Sequence, residues 1–162
     1  MLRIGIAQSD ITPQRSVWLT GFGSRDHRSE GVYQALRAGS LLLQGERDAA
    51  LLLTADLIGY SSAFAAGAKL ELSQATGLHP GQIVLTATHT HCAPFFTPWI
   101  MPGHLEPEYA ALVRDCFVAL AVQACAAAVP GALRFARGRS TFGVSRRLPD
   151  GQGGVRFAPN PE

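Results

Sequence analysis

The sequence predicts an α/β chain, with a mixed α+β arrangement as its variant: a mixed β-sheet with helices packed against it, incomplete at the C-terminus. Three observations carry that prediction. Short apolar runs stand between turn signals at about 3–8, 39–44, 49–55 and 82–88. Two of these runs are joined only by Gly45-Glu46-Arg47-Asp48, a length and composition that suit a hairpin. Tyr109, Leu112, Val113, Cys116, Phe117, Leu120 and Ala124 recur at helical spacing and make one apolar stripe.

Taken in order, the first strand runs into a turn at Asp10-Ile11-Thr12-Pro13. A loop with Gly21, Gly23 and Gly31 follows, with few periodic apolar positions. After the hairpin, a helix is expected over about 61–76, capped by Ser61 or Ser62 and stopped by Gly77. The strand at 82–88 is bracketed by Pro80-Gly81 and Pro94. In the second helix, Glu106 and Glu108 favour the amino end and Pro130-Gly131 closes it. A strand over about 133–138 is expected next, then an irregular, Gly/Pro-rich tail over 148–162. No repeat or second domain is read, so 1–162 is taken as one domain.

Composition narrows the function classes. A chain of 162 residues with 47% hydrophobic and 16% charged residues is globular. It is long enough to bury about two thirds of its unfolded surface. A net charge of +2 makes no case for nucleic acid or an anionic membrane. Arginines thicken toward the end (Arg134, Arg137, Arg139, Arg146, Arg147, Arg156), as a solvated basic face or a surface for an anionic ligand or lipid headgroup. Cys92, Cys116 and Cys125 are an odd count without Cys-x-x-Cys spacing, so neither a disulfide framework nor a cysteine zinc site follows. The amino end has no charged n-region with a long apolar core, and no apolar run is read as transmembrane, since Arg114, Asp115 and Gln123 interrupt the second helix. A cytoplasmic chain is expected, with secretion left open. The oligomeric state is not read from sequence.

The chemistry concentrates in Thr88, His89, Thr90, His91, Cys92, Ala93 and Pro94, directly after the apolar run Ile83, Val84, Leu85. Open α/β sheets bind ligands beyond the carboxyl ends of their strands. A regular strand would place His89 and His91 on one face, where two imidazoles can share a divalent metal, most often zinc. The other reading is a pair of polar residues near a surface, because zinc wants three or four ligands and this motif supplies two.

These residues resemble the Thr-His-Thr-His-Ser-Gly-Pro signature of the neutral/alkaline, non-lysosomal ceramidases. Other landmarks of that family follow in order. Ile4-Gly5 through Asp10-Ile11-Thr12-Pro13 resembles its opening strand and turn, and Leu19-Thr20-Gly21-Phe22 its Gly-Tyr segment. Thr54-Ala55-Asp56-Leu57 resembles its Thr-Asp-Leu strand end, and Phe142-Gly143-Val144-Ser145-Arg146-Arg147 its Asn-Arg-Ser segment. The resemblance spans nearly the whole chain and implies the amino-terminal part of a longer catalytic domain.

What the resemblance implies is Zn2+-dependent hydrolysis of the N-acyl bond of ceramide or a related N-acyl lipid, in sphingolipid metabolism. Zinc would activate a water and polarise the amide carbonyl. His89 matches a zinc ligand of the family; His91 matches a residue beside the metal that contacts substrate. Arg146 best matches a site arginine, with Arg147 one register away. The family's remaining ligands, a second histidine, a glutamate and a tyrosine, are expected beyond Glu162, so this chain alone is expected to bind zinc weakly and to be inactive. Gly39, where many relatives have arginine, and Cys92-Ala93 in place of Ser-Gly depart from the pattern. Cys92 is read as a small residue in a serine position before it is read as a nucleophile. The rivals are a metal-dependent hydrolase of another substrate and a non-catalytic truncated module.

Other polar residues have plainer readings. Asp10 is read as an Asx-type turn cap in preference to a metal ligand or base, while Asp56 stays open between the two. His27, His79 and His104 are read as loop residues, and Cys116 and Cys125 as core filler. The stretch Phe95-Phe96-Thr97-Pro98-Trp99-Ile100 either lines a groove for an acyl chain or packs beneath its own loop.

Overall fold

The computed structural model describes residues 1–96, 101–141 and 143–158. Its first compact unit, Met1–Ala132, holds a mixed sheet, and the second, Leu133–Glu162, holds a short hairpin. The sheet strands are β1 (Arg3–Asp10), β2 (Arg37–Gln44), β3 (Ala49–Ala55), β4 (Ile83–Ala87) and the two-residue β5 (Val129–Pro130). Their spatial order is β4-β3-β2-β1-β5. β2 runs antiparallel to both β1 and β3, so β1 and β3 point the same way, and β4 joins β3 in parallel. Three carboxyl ends therefore reach one edge of the sheet: Asp10, Ala55 and Ala87.

The sheet is built by alternation. Ala38, Ser40 and Leu42 of β2, Leu51, Leu53 and Ala55 of β3, and Ile83 of β4 point to one buried face. Two helices cover that face: α1 (Ser62–Thr76) contributes Leu72, and α2 (Pro107–Ala126) contributes Tyr109, Val113, Phe117, Leu120, Ala121 and Ala124. Burying one such large side chain contributes roughly 1.5–3 kcal/mol. On the opposite face, Ile6, Leu41, Leu52 and Val84 fall in register across four strands, with Ile6 69% and Val84 44% exposed.

Most expected elements form where the sequence places them. The hairpin of β2 and β3 closes through Gly45 N–H to the Asp48 carbonyl at 2.8 Å. Ser61 caps α1, its hydroxyl accepting from Phe64 N–H at 3.1 Å, and Gly77 ends it at φ 73°. As expected, α2 ends ahead of Pro130-Gly131, at Ala126: a proline ring clashes with the carbonyl four residues back and pushes its own predecessor out of the helical region. Two expectations differ. The strand expected over 133–138 does not form: Leu133 is 63% and Phe135 87% exposed, and the segment has no ladder partner among the described residues. Alternation without a neighbouring strand does not make a sheet. The tail expected to be irregular over 148–162 instead holds most of an antiparallel pair, β6 (Arg147–Pro149) with β7 (Val155–Phe157).

By length and composition α2 is apolar enough to cross a membrane. Arg114 and Asp115 do not remove it from that class. Its buried stripe packs on the sheet, as in the core helix of a globular domain.

Candidate functional site

At the common edge the backbone leaves β4 and turns sharply. His89 takes a left-handed conformation, φ 62°, the only positive φ outside glycine among the described residues. Such a conformation costs roughly 1–2 kcal/mol in an L-residue and recurs at functional positions. It is held from both sides: His89 N–H donates to the Leu57 carbonyl at 3.0 Å, and Thr88 N–H to the Ala55 carbonyl at 3.1 Å. The side chain is fixed as well, with Nδ1 2.7 Å from the Ile58 carbonyl oxygen. A carbonyl can only accept, so Nδ1 carries the hydrogen and Nε2 of the neutral ring keeps its lone pair.

This is the arrangement in which metal-binding imidazoles occur: one nitrogen donates to a backbone carbonyl, which sets the tautomer and the ring orientation. His91 is brought close, its ring centroid 5.2 Å from that of His89 at an interplanar angle of 66°. Strand alternation is not what brings them together, since β4 ends at Ala87 and the turn at His89 does so instead. The residues fit zinc in donor chemistry but not in number. Among the described residues no group of three His, Cys, Asp or Glu side chains converges on one point.

The carboxylates at the edge have structural duties. Asp10 Oδ1 accepts from Thr12 N–H at 2.7 Å, the Asx turn expected of it. The hydrogen bonds from Thr12 hold its carboxyl below the usual range. Asp56 Oδ2 accepts from Arg37 N–H at 2.8 Å, tying the start of β2 to the end of β3. The other histidines are occupied locally. His79 Nδ1 accepts from Gly81 N–H at 3.1 Å, His27 meets Asp26 at 3.0 Å, and His104 stands 3.7 Å from Glu106.

A groove of about 780 Å³ opens beside this segment, lined by Asp56, Thr90 and Cys92 together with Val32 and Tyr33. Thr90 and Cys92 line it, whereas their neighbours His89 and His91 do not. The aromatic stretch after the pair splits: Phe95 and Phe96 are buried, 4% and 1% exposed. Phe96 makes edge contacts with Phe64 at 4.8 Å and Tyr60 at 5.9 Å, so both phenylalanines are core and not groove. Residues 97–100, the rest of that expectation, lie outside the described residues.

Arg146 and Arg147 belong to the second unit. The Arg146 guanidinium lies over the Phe157 ring at 4.3 Å, and Arg147 N–H donates to the Ser145 hydroxyl at 3.3 Å. Phe142 of that segment lies outside the described residues. Sequence reasoning missed Ile58, whose carbonyl sets the His89 tautomer, and also Phe22 and Arg25, which pack against His91. Backbone acceptors leave no trace in residue identity; the Gly21-Phe22 landmark was the one available signal for the others.

No protein-family model matches the chain, and no curated protein matches it. Among solved structures it is similar to the neutral ceramidase from Pseudomonas aeruginosa, at 21% identity and a TM-score of 0.70. It is also similar to a ceramidase complexed with C2, at 20% identity and a TM-score of 0.63. Each similarity covers 80% of this chain and 22% of the other, so the chain spans about a fifth of the length of these structures. At such identities it is the fold that is shared: the sheet edge bearing His89 and His91 stands on a ceramidase-like fold.

Proposed function

We propose that this chain forms part of a zinc-dependent amidase that hydrolyses the N-acyl bond of ceramide or a related N-acyl lipid. The observation that carries the reading is His89: a strained backbone, Nδ1 committed to the Ile58 carbonyl, and Nε2 left with its lone pair at the carboxyl edge of three parallel strands. The ceramidase-like fold supports the substrate class.

In this reading His89 is one zinc ligand, and the remaining ligands come from outside the described residues. When bound, zinc supplies Lewis acidity for the amide carbonyl and lowers the pKa of a water it holds to about 7. His91 contacts the substrate beside the metal, and its ring nitrogens have no hydrogen-bond partner among the described residues.

The test is a calorimetric zinc titration of the chain, run with His89→Ala in parallel, together with hydrolysis of an N-acyl sphingosine. Weak, His89-dependent zinc binding without turnover is expected of the chain alone. Zinc binding unaffected by His89→Ala would remove the metal role. Micromolar affinity with measurable hydrolysis would mean that the chain holds a complete site, against the ligand count proposed here.

A further inference from the structure

Whereas His89 is fixed by a hydrogen bond to its own ring, His91 is fixed by its surroundings. Three residues of the loop between β1 and β2 surround it. Gly21 takes φ 107°, and a Cβ there would fall 2.4 Å from His91 Cβ, so the loop backbone lies directly against the imidazole-bearing residue. Phe22 meets the His91 ring edge-on, with centroids 5.6 Å apart and planes at 76°. Arg25 closes the arrangement. Its Nη1 donates to the Thr20 carbonyl at 3.0 Å and to the His91 carbonyl at 3.4 Å, while its guanidinium lies over the Phe22 ring at 5.2 Å.

The same loop is zipped to the chain just after His91. Thr20 N–H donates to the Ala93 carbonyl at 3.0 Å, and Phe95 N–H to the Trp18 carbonyl at 2.7 Å. Leu19 and Pro94 form an antiparallel bridge between these bonds. Thr20 itself is fully buried. The loop is therefore anchored at its base, and Arg25 carries that anchorage across to both the Phe22 ring and the His91 backbone.

We propose that Phe22 and Arg25 are positioning residues for His91: the aromatic edge sets the imidazole's orientation and the guanidinium locks the backbone that presents it. The ring is thus immobilised without occupying either nitrogen among the described residues, which leaves both for substrate or proton transfer. This role rests on the reading that His91 acts at the site, but the immobilisation itself does not depend on zinc or turnover.

The experiment measures ring C–H order parameters of His89 and His91 by 13C relaxation in the full chain, comparing wild type, Phe22→Leu, Phe22→Tyr, Arg25→Met and Arg25→Lys. The wild-type His91 ring should behave as a rigid group, with an order parameter of about 0.8, and Phe22→Leu and Arg25→Met should lower it below about 0.6. Phe22→Tyr should restore it, and Arg25→Lys should restore it in part. The His89 ring, held by Ile58, should keep its value throughout. An unchanged His91 in both Phe22→Leu and Arg25→Met would overturn the proposal, as would an equal loss of order at His89, which signals general loosening. Should Phe22→Leu fail to fold, Arg25→Met decides alone. Failure of the amidase reading is recorded elsewhere, in the absence of His89-dependent zinc binding, and leaves these ring measurements interpretable.

Discussion

At the scale of single residues, the site is held by contacts that tolerate little change. Gly21 combines a left-handed backbone with close approach to His91, so Gly21→Ala adds conformational strain to a steric overlap. A loss of about 1–3 kcal/mol in urea denaturation is expected. Gly23, two residues on, has open space around it, and Gly23→Ala should stay within about 0.5 kcal/mol of wild type. Equal effects at the two positions would mean that the approach to His91 is not what constrains the loop. Tyr109 gives a pH test. Its hydroxyl donates to the Ile11 carbonyl at 3.0 Å, and burial pushes its phenol above the ordinary tyrosine range, as it does for Tyr60. An unfolded chain sheds these protons near pH 10 while the folded one keeps them, so stability is complete below that pH and declines above it. The urea midpoint should therefore fall above about pH 10, and Tyr109→Phe should flatten the fall. A midpoint that is flat with pH in wild type would contradict the burial argument.

At the scale of elements, α2 lies close against β1. A Cβ on Gly5 would stand 1.8 Å from the Ala124 carbonyl oxygen, an overlap relieved only by moving the helix or the strand. Gly5→Ala should accordingly cost about 1–3 kcal/mol or more, read as a lowered urea midpoint. The elements most legible in the sequence are those whose signals are local. Ser61 and Gly77 bracket α1 through caps a few residues long, and the Gly45–Asp48 connection fixes the hairpin by its length. The stripe from Tyr109 to Ala124 announced the face of α2. What was not legible depends on distant partners. The 133–138 stretch alternates like a strand but lacks a neighbour among the described residues, and Phe95-Phe96 read equally as groove lining or as core until Tyr60 and Phe64 pack on Phe96.

At the scale of the whole molecule, the antiparallel β2 reverses the chain between β1 and β3, and a parallel β4 follows, so that three carboxyl ends share one edge. Asp10, Asp56 and the two histidines are gathered there by topology; their chemistry is then divided by local bonds. The carboxylates serve the backbone, and His89 keeps a free nitrogen. The histidine pair was legible as a candidate because strand, polar end and His-x-His are sequence features. Its geometry was not, because it rests on the left-handed turn at His89 and on the Ile58 carbonyl. The most direct test of this account is a long-range 1H–15N correlation spectrum of the chain, recorded with the imidazole rings neutral. His89 should appear as the Nδ1–H tautomer, with its Nε2 resonance moving selectively when zinc is added. An Nε2–H tautomer, or a zinc response that leaves His89 unmoved, would contradict it.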